Sequence, residues 1–416
     1  MPSLRRLPPS LDVLREPNYR RYLAAEAVSD LGSGMSNVAL AFAVLQIGGA
    51  TELGIVLLAR EIPIVVFVLL GGVFADRVKR QHLLVGADIV KGAVQLLTAF
   101  LLATGNANVW SIAILQATFG IANAFSRPAT LGFVKDAVSD ARLQQGNALL
   151  HTVSNVFSIA GPAIGALIVA AGSPAIAIAI DAGTFLASAT LNASMRLVQT
   201  VAARTASIIG DLRDGFGELT SRPWAVAIIA SFGLFQLTYF PAMFVLGPII
   251  AQDHLGGAAG WGTILAVQSV GAVLGGLASI RVRSRRPLVA CQLAVLPASM
   301  LLFGLAVPLP LAALLAVSVG VGAGFAVGNT LYQTAFQRNL PEHAMARISS
   351  YDWFGSLALN PIGYALIGPI AAVLGNQQTL YVAAVLNALV CLSVLLVPSV
   401  RHISMDAPQP AAEPAA

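Results

Sequence analysis

Ten ionisable side chains stand inside stretches otherwise apolar enough to cross a bilayer: Glu26, Asp30, Arg60, Glu61, Asp88, Lys91, Arg127, His151, Asp181 and Asp352. A charged group costs roughly 2.5–3.5 kcal/mol at that depth, so those that persist are kept for proton transfer, ligand binding or ion pairing. Asp30 is the leading candidate for a proton site. It lies about two turns into the first apolar run, and Ser33 and Asn37 continue its face at i+3 and i+7. A carboxyl held there could take and release a proton during a cycle, or it could be a structural acid satisfied by a neighbouring helix. Glu26 shares the face at i−4 but sits nearer the membrane surface, where Arg21 or a loop is its expected partner. Arg60 and Glu61 are adjacent, so they point about 100° apart and cannot both face one cavity. Either Glu61 faces it while Arg60 meets a neighbouring helix, or the reverse. Asp88 and Lys91, three apart, can satisfy each other and read as peripheral packing.

Two polar stripes point to a water-filled cavity. The fourth run carries Gln116, Asn123 and Arg127 at i, i+7 and i+11, and the fifth carries Asn147, His151, Asn155, Ser158 and Pro162 at helical spacing. The second half of the chain offers Gln236, Tyr239, Gln268, Asn329, Tyr332, Gln333 and Asn360, uncharged and set among Phe232, Phe235, Phe240 and Met243. Walls of amides and rings suit an amphiphilic organic ligand better than a sugar or a small ion. Interhelical hydrogen bonding would use the same residues. Cys291 and Cys391 lie far apart in apolar runs, without metal or redox spacing. The chain carries no His-Glu-x-x-His, no Gly-x-Ser-x-Gly and no phosphate-binding loop, so no cofactor, metal or catalytic centre is expected.

Helices must position these residues. The chain is 57% hydrophobic and 10% charged, with a mean hydropathy of +0.79. An average soluble domain is roughly 25% charged, so a water-soluble helical protein is excluded. A crossing needs about 20 apolar residues. Twelve runs qualify, at about 23–47, 53–75, 83–104, 109–130, 145–171, 175–196, 224–250, 261–280, 287–306, 311–333, 348–374 and 380–397. The polar linker at 197–223 divides them into bundles at 23–196 and 224–397, leaving a segment at 1–22 and a disordered tail at 398–416. Lys and Arg gather in alternate loops, among them Arg77, Lys79, Arg80, Lys135, Arg142, Arg281 and Arg338, and are absent from the loops between. This asymmetry puts both termini in the cytosol, and the basicity marks an inner leaflet rather than a nucleic-acid partner. The basic stretch Gly71-Gly72-Val73-Phe74-Ala75-Asp76-Arg77 recurs in worn form as Gly275-Gly276-Leu277-Ala278-Ser279-Ile280-Arg281. Duplicated six-span halves in one orientation describe a class of secondary transporter.

The motifs narrow this further. Gly72-x-x-x-Asp76-Arg77-x-x-Arg80 resembles the loop signature of the major facilitator superfamily, with Lys79 in place of the usual glycine. Gly161-Pro162-Ala163-Ile164-Gly165 is similar to a motif of that superfamily's exporters, with Ala166 where its final glycine would stand. Ala59-Arg60-Glu61-Ile62-Pro63, Ala124-Phe125-Ser126-Arg127-Pro128-Ala129 and Leu143-Gln144-Gln145-Gly146-Asn147-Ala148-Leu149 resemble the branch of macrolide-efflux proteins and the enterobactin exporter. The resemblance implies an all-α integral membrane fold of twelve transmembrane helices, arranged as two six-helix bundles related by a parallel repeat. It also implies a monomer, coupling to protons rather than sodium, and a peripheral, structural place for Asp181.

The expected function is therefore a proton-coupled exporter of amphiphilic small molecules in the inner (plasma) membrane, working by alternating access, with Asp30, Glu61 or Glu26 titrating. A facilitator or importer of a small organic solute or lysolipid with the same fold is the alternative, and an intramembrane enzyme a distant one. The repeat adds a gate to this picture. Arg77 aligns with Arg281, whereas Asp76 aligns with Ile280, so the acid stands in one copy alone. Asp76 is expected to dock at the start of the eleventh span near Ala346 and Arg347, with Arg80 held by Asp136 or Asp140.

Overall fold

The computed structural model describes residues 9–139, 142–195, 216–282, 284–307, 309–340, 348, 351–352, 354–356 and 358–404, with backbone alone at 9–11, 68–77, 128, 131–132, 136 and 158–159. Lipid offers no water to peptide groups, so each crossing closes its own hydrogen bonds as a helix. The first half supplies α1 (Pro17–Leu45), α2 (Ala50–Arg77), α3 (Arg80–Ala103), α4 (Val109–Ala137), α5 (Leu143–Ala170) and α6 (Pro174–Ala193). The second supplies α7 (Pro223–His254), α8 (Ala258–Ser279), α9 (Pro287–Ala306) and α10 (Leu311–Asn339), then α11 (Asn360–Leu374) and α12 (Asn376–Ser393). Among the described residues, eleven helices are long and apolar enough to cross a membrane. The remaining place is taken by α2, which carries Glu52, Arg60 and Glu61 within its length.

Several boundaries differ from the sequence reading for local reasons. Helix α1 begins at Pro17 rather than residue 23, because proline at the first helical position gives up an N–H that has no partner there anyway. The basic loop contracts to Val78 and Lys79, since α2 runs through Arg77 and α3 starts at Arg80. The expected disordered tail opens instead with a short helix, Pro398–His402, whose Val400 is fully buried in the core. Two spans are interrupted near proline. After Pro241, α7 widens into a π-turn over Ala242–Leu246, and α9 breaks between Ala294 and Pro297.

The chain forms two compact units, Met1–Arg204 and Thr205–Ala416. In the first, α2 packs on α4, α1 on α5 and α6, and α3 on α4 and α6. In the second, α8 packs on α10, α9 on α10 and α12, and α7 on α11 and α12. Helix α3 shows what solvent the first unit is built for. Asp88, Lys91 and Gln95 are buried, while Ile89, Leu96 and Phe100 are exposed at 49%, 55% and 59%. A helix with its charges inside and its large apolar groups outside is arranged for lipid.

Candidate functional site

The interior of the first unit is charged. Lys91 of α3 lies 3.9 Å from Asp88 Oδ1 and donates to Ser126 Oγ of α4 at 3.0 Å. From α6, Ser188 and Asn192 donate to Asp88 Oδ2 at 2.7 and 3.1 Å. The Lys91 ammonium also sits 5.4 Å from the centre of the Phe185 ring, and Glu26, Asp30 and Asp181 are all within its electrostatic reach. One turn further along α3, Gln95 Nε2 donates to Ser36 Oγ of α1 and to Asp181 Oδ2 of α6, both at 2.6 Å. Buried charges survive when paired and hydrogen-bonded, and this network supplies both conditions.

Around this network stand the α1, α2 and α5 candidates. Asp30 Oδ2 accepts a 2.6 Å hydrogen bond from the Ser154 hydroxyl of α5. Arg60 donates to Asn37 Oδ1 at 3.0 Å and lies 4.4 Å over the Phe119 ring, whereas Glu61 interacts with Arg127 of α4. The two neighbours on α2 thus reach different partners, as their angular separation requires. Helices α1 and α5 meet backbone to backbone. A Cβ built on Gly161 would fall 2.8 Å from Gly34 Cα, and one on Gly165 would fall 2.6 Å from Met35 Cα. The Gly161-Pro162 motif is therefore the seam that brings Ser154 to Asp30.

The interior of the second unit is aromatic and largely neutral. A cavity of about 290 Å³ is lined by Phe232, Phe235, Phe240 and Phe325, with Gln236, Asn329, Tyr332, Gln333 and Asp352 among its polar groups. Phe232 and Tyr332 stack edge to face at 5.0 Å, and Phe235 meets Phe325 at 5.9 Å. Where the first unit joins α1, α3 and α6 through Ser36, Gln95 and Asp181, the second joins α7, α9 and α12 through Thr238, Ser299 and Asn387. Ser299 donates to Asn387 Oδ1 at 2.8 Å, and Asn387 donates to Thr238 Oγ1 at 3.0 Å. The triangle is repeated with an amide in place of the acid.

The family model for transmembrane secretion effectors, a group within the major facilitator superfamily, matches residues 9–415. The chain belongs to that family. It is 28% identical over 404 residues to the multidrug efflux pump Tap of Mycobacterium tuberculosis, covering 93% of this chain and 94% of the relative. It is 24% identical over 398 residues to Tap of Mycolicibacterium fortuitum, covering 92% and 96%. Macrolide efflux protein A of Streptococcus pyogenes is 26% identical over 241 residues, which is 56% of this chain and 58% of the relative. In fold, the chain is similar to the nucleoside transporter NupG (D323A mutant), with a TM-score of 0.76 at 11% identity over 91% of this chain and 99% of that one. It is also similar to a D-xylose–proton symporter, with a TM-score of 0.69 at 11% identity over 95% and 99%. The protein is a multi-pass membrane transporter with the major facilitator fold.

In this transporter the sequence candidates fall into separate groups. Glu26 does not pair with Arg21, which donates instead to the Ser194 carbonyl at 2.7 Å. Glu26 faces Asp30, Asp88 and Lys91, so it belongs to the interior network and not to the membrane surface. Asp88 and Lys91 do pair, but at a junction of helices rather than at the periphery. Gln116 is fully buried, with both amide atoms unpartnered, and so leaves the stripe that Asn123 and Arg127 continue. His151 and Asn155 are exposed along α5. Gln236, Asn329 and Tyr332 meet in the second unit's cavity, whereas Tyr239, Gln268 and Asn360 do not line it. Gly72, Asp76 and Arg77 occupy the last turns of α2, Asp136 stands at the end of α4, and Arg80 opens α3. Asp140 and Arg347 lie outside the described residues. The sequence pattern assigns no partner or specific task to Ser126, Ser154 or Asp352. For Asp352 a signal exists: it is the one acid inside a span of the second half.

Proposed function

We propose that this transporter exports amphiphilic small molecules in exchange for protons, by alternating access, with Asp30 as the group that titrates. The relatives named as multidrug efflux pumps align along nearly their whole length, which supports export. The observation that carries the coupling is the partner of Asp30. A serine hydroxyl can donate to a carboxylate or accept from a carboxylic acid. Ser154 therefore serves both protonation states, whereas an arginine would favour the charged one. Lys91 stands near enough to sense which state is occupied. Protonation of Asp30 would release Lys91 toward Asp88 and Glu26, and α1 would shift against α5 along its glycine seam. The aromatic cavity of the second unit supplies the apolar half of a substrate site. Both termini face the cytosol in this scheme, and the chain works as a monomer.

The test is efflux of a hydrophobic dye from cells expressing wild type or Asp30→Asn. Wild-type efflux should collapse on adding an uncoupler, and Asp30→Asn should lower it by about tenfold or more. Equal efflux from both, insensitive to the uncoupler, would sink the assignment of Asp30.

A further inference from the structure

The cavity of the second unit holds a carboxyl that lacks a counter-ion among the described residues. Asp352 lines it, and no basic side chain described pairs with it. The Tyr332 hydroxyl lies close enough to interact but out of hydrogen-bond geometry. Tyr332 is 4% exposed, and both its hydroxyl and Asp352 Oδ1 are buried without a hydrogen-bond partner. The acids buried in the first unit's network have donors: Asp88 has Lys91, Ser188 and Asn192, and Asp181 has Gln95. An acid with a tyrosine hydroxyl beside it and no counter-ion among the described residues is costly at membrane depth unless something else completes the site.

The rest of the lining indicates what that is. Phe232 and Tyr332 are perpendicular at 89°, and Phe235 is set at 79° to Phe325 and 72° to Phe240. Rings at right angles present both faces and edges, and a face attracts a cation through its negative quadrupole. Gln236 and Asn329 add neutral acceptors. We propose that this cavity is a binding site for an organic ammonium group, held by Asp352 and the surrounding rings, so that the substrates are amphiphiles bearing a protonated or quaternary amine. An anion would meet Asp352. This inference rests on reading the cavity as part of the substrate path.

The probe pair is benzyltrimethylammonium and its uncharged carbon isostere, neopentylbenzene, which differ in charge but hardly in shape. Binding to the purified full chain is measured by isothermal titration. Wild type should bind the cation about tenfold more tightly than the isostere. Asp352→Asn should remove most of that preference while leaving the isostere's affinity unchanged, and Phe235→Leu should weaken both ligands. Equal affinity of wild type for the two probes would overturn the proposal without any variant, which guards against a variant that fails to fold. Unchanged cation affinity in Asp352→Asn would overturn the role of the acid. Dye efflux separates this from the export reading: intact efflux without a charge preference removes the ammonium site alone, and a charge preference without efflux removes export alone.

Discussion

The two units share a plan and differ in what they bury. At the junction of the first, third and sixth helices, Gln95 binds Ser36 and Asp181; at the matching junction of the seventh, ninth and twelfth, Asn387 binds Ser299 and Thr238. One turn away the plan diverges. Asp88 and Lys91 of α3 stand where α9 has Gln292 and Val295, and Gln292 makes a neutral 3.2 Å bond to Ser231. The interhelical triangle is common to both units, and the charges are not. The charges are an addition to the first unit, and the aromatic cavity beside Val295 is an addition to the second. Two copies of one bundle have diverged in what they enclose: a network of charges in one, a ring-lined cavity in the other.

The comparison is broken most severely at Lys91. Truncation by Lys91→Ala leaves Asp88 buried beside only neutral donors, and removing one partner of a buried pair costs about 3–5 kcal/mol. The purified protein should show a large fall in its thermal midpoint. Replacing both partners, Asp88→Asn with Lys91→Met, should recover most of that loss, because neutral groups of similar shape suffice in the second unit. If the double variant is as unstable as Lys91→Ala, the charge pair is part of the frame and the two units are less alike than their triangles imply.

Much of this division is readable from the residues alone. Twelve apolar runs, the duplicated basic loop and the concentration of ionisable groups in the first half follow directly from spacing and composition, because lipid punishes polar groups so evenly that hydropathy tracks topology. Partners are less readable. Glu26 reads as peripheral when its depth along α1 is counted alone, since nothing in α1 tells that α3 brings Lys91 to the same level. Gln116 fits the spacing of an open stripe, yet α4 turns it into the bundle, since periodicity gives relative angle but not absolute direction. Asp352 is visible as the lone acid within the apolar runs of its half, but its significance depends on rings contributed by α7 and α10, which no local pattern announces.

A subtler break exchanges the residues that distinguish the two triangles. Asp181→Asn should change stability by less than about 1 kcal/mol, because the new amide can donate to Gln95 Oε1, which is buried and unpartnered. The reverse change, Asn387→Asp, places a carboxyl among neutral groups and gives up the donor to Thr238, at a cost of about 2 kcal/mol. Thermal midpoints of the two variants should therefore fall on opposite sides of a narrow gap. Equal losses would mean that the acid at 181 is bound as specifically as the amide at 387, and that neither unit is the simpler version of the other.

The smallest expected effect lies at the first turn of α4. Asn108 accepts from the Ser111 amide at 2.9 Å while the Ser111 hydroxyl accepts from the Asn108 amide at 3.1 Å, closing a reciprocal cap. Helix α10 of the second unit starts after Pro310 with no side-chain cap at all. A proline at that position limits the chain's freedom before the helix but its side chain satisfies no amide, so the two units start corresponding helices by different means. Asn108→Ala should cost about 1 kcal/mol and leave transport intact. Hydrogen exchange should quicken at the amides of Trp110, Ser111 and Ile112 and nowhere else in α4, because the buried stretch from Phe119 onward is fixed by packing on α2 and α3. Faster exchange deep in the helix would show that α4 depends on its cap for more than its first turn, and that the uncapped α10 must draw its order from a different source.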